Sequence, residues 1–205
     1  KLSEEKHEFS EIACIIATSA SSGKQKYVKI SRDSFINRVY NTNNLDVNIS
    51  NIKSMISLRS VAIVTHIFEL FTNLVHGNCN YLLNRTETLV PSTIVTYIEG
   101  EKIEYIVLAP SLLKSIISEY QRNNKVNKSI KTIISGSAKL DLKTINDFYD
   151  IFSNGNLYNS YGTTETSSTC YFQKLDRCGS VVMGETICGS KIHIVDSNMN
   201  EMISG

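Results

Sequence analysis

The sequence predicts an α/β fold: a layered, largely parallel sheet flanked by helices, incomplete, with a few short strands at the C-terminal end. Three observations carry this. Short β-branched apolar runs alternate with segments of helical apolar spacing along most of the chain. Two prolines and ten glycines in 205 residues leave no break in composition that would mark a linker. Hydrophobic residues at 41% and charged residues at 20% are the proportions of a globular chain that buries a core without staples.

The elements follow in order. Ile12 to Thr18 is a short apolar run that reads as a buried strand. It enters a small-residue loop, Thr18-Ser19-Ala20-Ser21-Ser22-Gly23-Lys24. Ser31 to Tyr40 is a helix with Ser31 as its N-cap, and Asn41 to Ser50 is a polar loop. Ile56 to Val64 reads as a strand. Ile67, Phe68, Leu70, Phe71, Leu74 and Val75 then take helical spacing, with Gly77 at the C-cap. Tyr81 to Asn84 is a short strand, Ser92 to Glu99 a helix and Tyr105 to Leu108 the next strand. Pro110 opens a helix over Ser111 to Tyr120. Lys131 to Ile134 is a strand, with Gly136 in a tight turn after it. Leu142 to Phe152 is an amphipathic helix, and Asn156 to Ser160 a strand entering the loop Tyr161 to Glu165. Val181 to Val195 reads as short strands broken by Gly184 and Gly189.

Composition narrows the function. A formal net charge of +1 without charge blocks argues against nucleic acid and against an anionic membrane surface. The apolar runs are too short to span a bilayer, and no signal-peptide pattern opens the chain. The five cysteines (Cys14, Cys79, Cys170, Cys178, Cys188) include no C-x-x-C pair, so reduced thiols in a cytoplasmic protein are expected. Asn48, Asn84 and Asn127 open glycosylation sequons that chance explains in so Asn- and Ser-rich a chain. The four histidines lack metal-ligand spacing. A chain that starts at Lys1 and stops at Gly205 reads as a piece of a longer product.

Two loops carry chemistry. In open α/β sheets, ligands lie beyond the carboxyl ends of the strands, and both loops are expected there. Hydroxyls, small residues, Lys24 and Lys26 make the first a candidate phosphate cradle, although it lacks the Walker spacing. The second, Tyr161-Gly162-Thr163-Thr164-Glu165-Thr166, offers an aromatic face for a purine, hydroxyls for phosphate oxygens and a carboxylate for Mg²⁺.

Together, and in this order, the loops resemble the AMP-binding (adenylate-forming) enzymes: acyl-CoA synthetases, luciferases and the adenylation domains of nonribosomal peptide synthetases. That family's phosphate loop reads roughly T-S-G-S-T-G-x-P-K-G, against Thr18 to Tyr27 here. Its Y-G-x-T-E motif is matched fully at Tyr161 to Glu165. Weaker similarities lie at Leu108 to Leu113 (T-P-S-L-L), Ser135 to Leu140 (S-G-A-A-P-L), Phe68 to Phe71 (W-E-I-F) and Gly184 to Asp196. The resemblance implies that residues 1–205 are a partial adenylation domain, the centre of the large N-terminal domain. It implies ATP and Mg²⁺ as cofactors, and a carboxylic acid activated to an acyl-adenylate. The acceptor would be a carrier-protein phosphopantetheine or the CoA thiol. By position, Thr18, Ser19, Ser21, Ser22, Gly23 and Lys26 would hold the β- and γ-phosphates. Gly136, Ser137, Gly162 and Thr163 would line the nucleotide pocket, and Tyr161 would stack on adenine. Thr164 would touch the α-phosphate and Glu165 would bind Mg²⁺. Val64, Thr65 and His66 would fall at the acid pocket, where His66 either lines the pocket or packs at a helix start.

The match departs from the family in places. Ala20 stands for Gly, Gln25 for Pro and Tyr27 for Gly in the phosphate loop. If the loop needs φ > 0 at position 20, Ala costs on the order of 1 kcal/mol there. The peptide synthetases carry an Asp before W-E-I-F for the substrate's ammonium, and Ile63 to His66 contain no carboxylate. A substrate without an α-amino group fits better. The family's ribose-binding Asp and its small C-terminal lid domain with a catalytic Lys lie beyond Gly205. An isolated piece of this kind is expected not to turn over. A catalytically decayed relative serving as a binding or scaffold domain is the alternative.

Overall fold

The computed structural model describes residues 11–18, 25–40, 47, 49–177, 179–187 and 189–202. Ser19 to Lys24, the body of the expected phosphate loop, lies outside the described residues.

Strands β1 (Ile12–Thr18) and β2 (Lys26–Ser31) form their own two-stranded antiparallel sheet, with Thr18 opposite Lys26. The first loop therefore joins two antiparallel strands, and does not leave a strand of the parallel sheet as expected. Helix α1 (Arg32–Tyr40) follows directly. Ser31 caps it as expected, its Oγ accepting from the Ser34 N–H at 3.2 Å.

A seven-stranded sheet holds the rest, in the order β4-β3-β5-β6-β7-β8-β9. Its strands are β3 (Ser54–Ser57), β4 (Cys79–Leu82), β5 (Tyr105–Leu108), β6 (Thr132–Gly136), β7 (Asn156–Thr163), β8 (Ser168–Leu175) and β9 (Glu185–Thr186). The first five in sheet order run parallel, and β8 and β9 are antiparallel additions. Between them stand helices α2 (Val64–Val75), α3 (Pro91–Gly100), α4 (Pro110–Arg122) and α5 (Leu142–Ile151). The layered, largely parallel α/β architecture is as the sequence predicts.

Both faces of the central strands are covered, so β5 is buried at every residue. Alternation sorts the side chains. Ile106, Leu108, Ile133 and Leu157 pack with Ile98, Leu113, Ile116 and Phe148 of α3, α4 and α5. Tyr105, Val107, Ile134 and Tyr158 take the other face, with Phe172 of β8. Ile16 and Ile30 of the small sheet and Val39 of α1 pack on Val64 and Phe68. The hairpin thus stands on the N-terminal half of α2. No described helix is long and apolar enough to cross a membrane.

Several boundaries differ from the sequence reading. The strand expected over Ile56 to Val64 stops at Ser57. Ser60 turns the chain there: its carbonyl accepts from the Ile63 N–H at 3.0 Å and its Oγ from the Ala62 N–H at 3.3 Å. Gly77 does sit past the end of α2 as expected, with φ +71 and its N–H on the Leu74 carbonyl. The strand entering the second loop runs on to Thr163, so Tyr161, Gly162 and Thr163 are strand residues and the turn comes after them. Strand β8 was not expected. At the C-terminal end the only described strand is β9, with an isolated Val195–Glu201 bridge beyond it.

Candidate functional site

The site begins where β6, β7 and α2 meet. Gly136 ends β6 directly opposite Ser160 of β7. A Cβ on Gly136 would lie 2.4 Å from Ser160 Oγ and 2.8 Å from its carbonyl oxygen. Gly136 is therefore set by close approach to β7. The turn after it takes its positive φ (74°) at Ser137, not at the glycine.

The β7–β8 pairing shifts register between Tyr161 and Gly162. At Gly162 the two strands come so close that a Cβ would sit 1.8 Å from the Ser168 carbonyl oxygen. Thr164 to Ser167 make the turn, with Ser167 and Ser168 both at positive φ. Thr166 Oγ1 accepts from the Thr163 N–H at 3.0 Å and reaches the Ser168 carbonyl at 3.0 Å. The Ser168 hydroxyl lies 3.4 Å from Thr65 Oγ1, which ties the hairpin to α2.

These elements enclose a cleft of about 170 Å³. Val64 and Thr65, Gly136 and Ser137, and Gly162, Thr163 and Thr164 all line it. Seven residues singled out from the sequence are thus brought to one place. Arg59, Ile63, Ser160, Ser168 and Thr169 line it too and were not expected. Ser160 adjoins the motif and was within reach of a sequence reading. Ser168 and Thr169 enter only through the unexpected hairpin. Arg59 is the one cation among the lining residues, and no motif marks it.

Tyr161 and Glu165 flank the cleft without lining it. Tyr161 is 49% exposed, its ring centroid 6.1 Å from that of Tyr171. Glu165 is exposed in the turn. Among the described residues no cluster of three or more metal-ligating side chains exists. A single free carboxylate suits Mg²⁺, which takes one or two carboxylates plus phosphate oxygens and water. Thr18 and Lys26 are not among the lining residues. Ser19, Ser21, Ser22 and Gly23 lie outside the described residues.

His66 takes the second of its two expected places, packed at the start of α2. It is 6% exposed and lines a different cavity, with Ser57, Arg59 and Arg85. Helix geometry explains it, since Thr65 and His66 point some 100° apart. Burial holds the imidazole pKa below its ordinary value, and a hydrogen bond with the Arg59 backbone opposes this.

A third cavity, about 40 Å³, lies between α2 and the sheet. It shares Thr65, Ser168 and Thr169 with the cleft, and Phe68, Tyr105, Ile134 and Phe172 narrow it. Glu69 lines it, fully buried; burial pushes its carboxyl up to about 8 against the pull of Arg59. The Arg59 Nε lies 3.6 Å from a Glu69 oxygen, a distance without a hydrogen bond.

Two sequons are engaged in local structure. Asn127 is 3% exposed, and its Oδ1 accepts from the N–H groups of Ser129 and Ile130. Asn84 holds the Thr86 and Glu87 N–H groups in the same way. Cys14, Cys79 and Cys170 are free thiols.

Comparison with known proteins bears on this geometry. The family model for AMP-binding enzyme matches residues 2–205. Tyrocidine synthase 3 of Brevibacillus parabrevis is 28% identical over 191 residues, which is 92% of this chain and 3% of that protein. The beta-alanyl-bioamine nonribosomal peptide synthetase ebony of Drosophila melanogaster is 24% identical over 207 residues, 95% of this chain and 24% of that protein. Among solved structures, the nonribosomal peptide synthetase FmoA3 superposes with a TM-score of 0.82 at 17% identity, covering 93% of this chain and 20% of that one. O-succinylbenzoate coenzyme A synthetase from Bacillus subtilis, in complex with ATP and magnesium ion, does so at 0.78 and 18% identity, over 92% of this chain and 38% of that one.

Proposed function

The chain belongs to the AMP-binding enzyme family, and we propose that it is the nucleotide-handling part of a ligase that activates a carboxylic acid with ATP and passes the acyl group to a thiol. The observation that carries this is the cleft in which Ser137, Thr163 and Thr164 converge on the start of α2. The chain spans 3% and 24% of the length of the two relatives, tyrocidine synthase 3 and ebony, and the activity is proposed for a protein of such fuller length.

In this reading the α-phosphate sits in the cleft against the hydroxyls of Ser137, Thr163 and Thr164. Gly136 and Gly162 keep the floor open, because a side chain at either would strike neighbouring strand atoms. The Tyr161 ring stacks on adenine beside the cleft. Glu165 would hold Mg²⁺, which would supply neutralising charge to the phosphates. The acid approaches past Thr65, and its carboxylate attacks the α-phosphorus while pyrophosphate leaves. No residue in the cleft is needed as a general base, since the attacking carboxylate is already ionised; positioning and charge neutralisation do the work. Thr18, Ser19, Ser21, Ser22, Gly23 and Lys26 retain the β- and γ-phosphate role implied by resemblance.

The 40 Å³ cavity beside Thr65 takes the far end of the acid and limits it to a small group. Glu69, mostly protonated at neutral pH, gives an ammonium little charge there. A small acid without an α-amino group is therefore favoured. The thiol is that of a carrier-protein phosphopantetheine or of CoA.

The test is ATP–pyrophosphate exchange by the longer protein over a panel of small acids, beside Mg²⁺–ATP titration of this chain. Exchange that Thr164→Ala and Glu165→Gln abolish is the expected result. A second reading rests on Ala20, Gln25 and Tyr27 in the phosphate loop: a catalytically decayed relative serving as a binding or scaffold domain. Absence of both exchange and ATP binding in the longer protein would establish it and sink the first.

A further inference from the structure

The segment that joins β3 to α2 separates the cleft from a second, larger cavity of about 520 Å³. Its lining includes Ser57, Arg59, His66 and Arg85, with Leu82 and Leu83. No aspartate or glutamate is among the lining residues. Three of the lining side chains carry a buried polar atom with no hydrogen-bond partner: Ser57 Oγ, Arg59 Nε and His66 Nδ1. These atoms are themselves sealed from the cavity, with Arg59 Nε turned toward Glu69, so the wall's pull on a ligand comes from its charge.

The charges there are unbalanced. Among the described residues Arg85 forms no ion pair, and Arg59 has only Glu69 at 3.6 Å. Burial keeps that carboxyl protonated up to about pH 8, so at neutral pH it gives Arg59 little counter-charge. A guanidinium that is 11% exposed without an anion is costly. The volume lies in the range of small-molecule sites, and the leucines supply an apolar wall.

We propose that this cavity binds an amphipathic organic anion, a carboxylate or phosphate monoester on a short aliphatic chain, with its head between Arg59 and Arg85 and its chain against Leu82 and Leu83. Arg59 is the wall shared with the nucleotide cleft, so an anion drawn to it touches the group that also faces the cleft.

Calorimetric titration of the chain with octanoate and with octyl phosphate, with octanol as the uncharged control, tests this. The expected result is binding of at least one anion with a Kd below about 1 mM, and none of octanol. The anion that binds tells carboxylate from phosphate. Arg85→Gln weakens that binding about tenfold, and Leu82→Glu, which sets a carboxylate in the wall, abolishes it. Both positions are exposed, so the variants keep the fold, which circular dichroism checks. Equal binding of octanol, no binding of either anion, or affinity that both variants leave unchanged overturns the proposal. In the last case the anion sits in the cleft or the 40 Å³ cavity instead. Mg²⁺–ATP binding retained while both anions fail refutes this site and leaves the nucleotide cleft standing.

Discussion

Replacing Glu69 by Gln is expected to stabilise the protein increasingly as pH rises from about 5 to 8. The Glu69 side chain lies on α2 with neither oxygen hydrogen-bonded, and Arg59 is 3.6 Å away. Burial drives the carboxyl from its ordinary 4.5 to about 8, and the arginine opposes this too weakly to win. A carboxyl whose folded pKa exceeds its unfolded one keeps a proton in the fold that the unfolded chain has released. Its contribution to stability is therefore complete below pH 4.5 and is lost as pH climbs to about 8. One unit corresponds to about 1.4 kcal/mol, so the full loss from 4.5 to about 8 is on the order of 5 kcal/mol. Gln preserves the shape and does not titrate. Urea unfolding of both proteins at intervals from pH 4 to 9, followed by far-UV circular dichroism because the chain has no Trp, reads the difference. The curves should diverge by up to about 1.4 kcal/mol per pH unit within that window and run parallel outside it. Parallel curves throughout would refute the reasoning and mean that Arg59 holds Glu69 ionised in the fold.

Gly162→Ala drives a Cβ into the Ser168 carbonyl and is expected to cost more than about 2 kcal/mol in thermal unfolding, with loss of nucleotide binding. Asp141 caps α5, its Oδ1 accepting from the Thr144 N–H at 2.8 Å, and Lys114 lies 2.6 Å from its other oxygen. Asp141→Ala should cost about 1 kcal/mol at pH 7. The Lys114 contact and the Thr144 N–H hold this carboxyl near 2, so the contribution is present above pH 4 and fades as pH falls through about 2; an acid titration of both proteins checks it. Asn127→Ala removes acceptors for the Ser129 and Ile130 N–H groups and is expected to cost about 2–3 kcal/mol in urea, while mass spectrometry of secreted protein should find no glycan at Asn127. Tyr161→Ala should weaken ATP binding about tenfold in calorimetry at unchanged melting temperature, since the residue is half exposed; an equal loss of both would make Tyr161 structural.

Much of the fold was legible because its signals are local. Pro110 at the first turn of α4, Ser31 before α1 and Gly77 after α2 each satisfy or release backbone groups within a few residues. Strand β8 shows the other case. Ser168, Cys170 and Phe172 are buried in alternation with more exposed neighbours, a readable period-2 pattern. Its strand identity nonetheless depends on pairing with β7, and Tyr161 to Thr163 read as loop until that partner is seen. Strand β1 was legible as a strand, an apolar run like those of the core, but its place in a separate sheet with β2 was not.

By itself the sequence determined the α/β class and the family, through alternating apolar runs and the full match at Tyr161 to Glu165. It also determined which hydroxyls and glycines could serve a nucleotide. Tertiary structure alone decided which of them share a cleft. Thr65 and His66 are adjacent in the chain, yet one faces the cleft and the other a separate cavity. Arg59, which carries no motif, borders both cavities because the chain turns at Ser60. Chemistry follows from residue type, which is written in one dimension; proximity follows from helix phase, strand pairing and turn geometry, which arise only when distant segments pack.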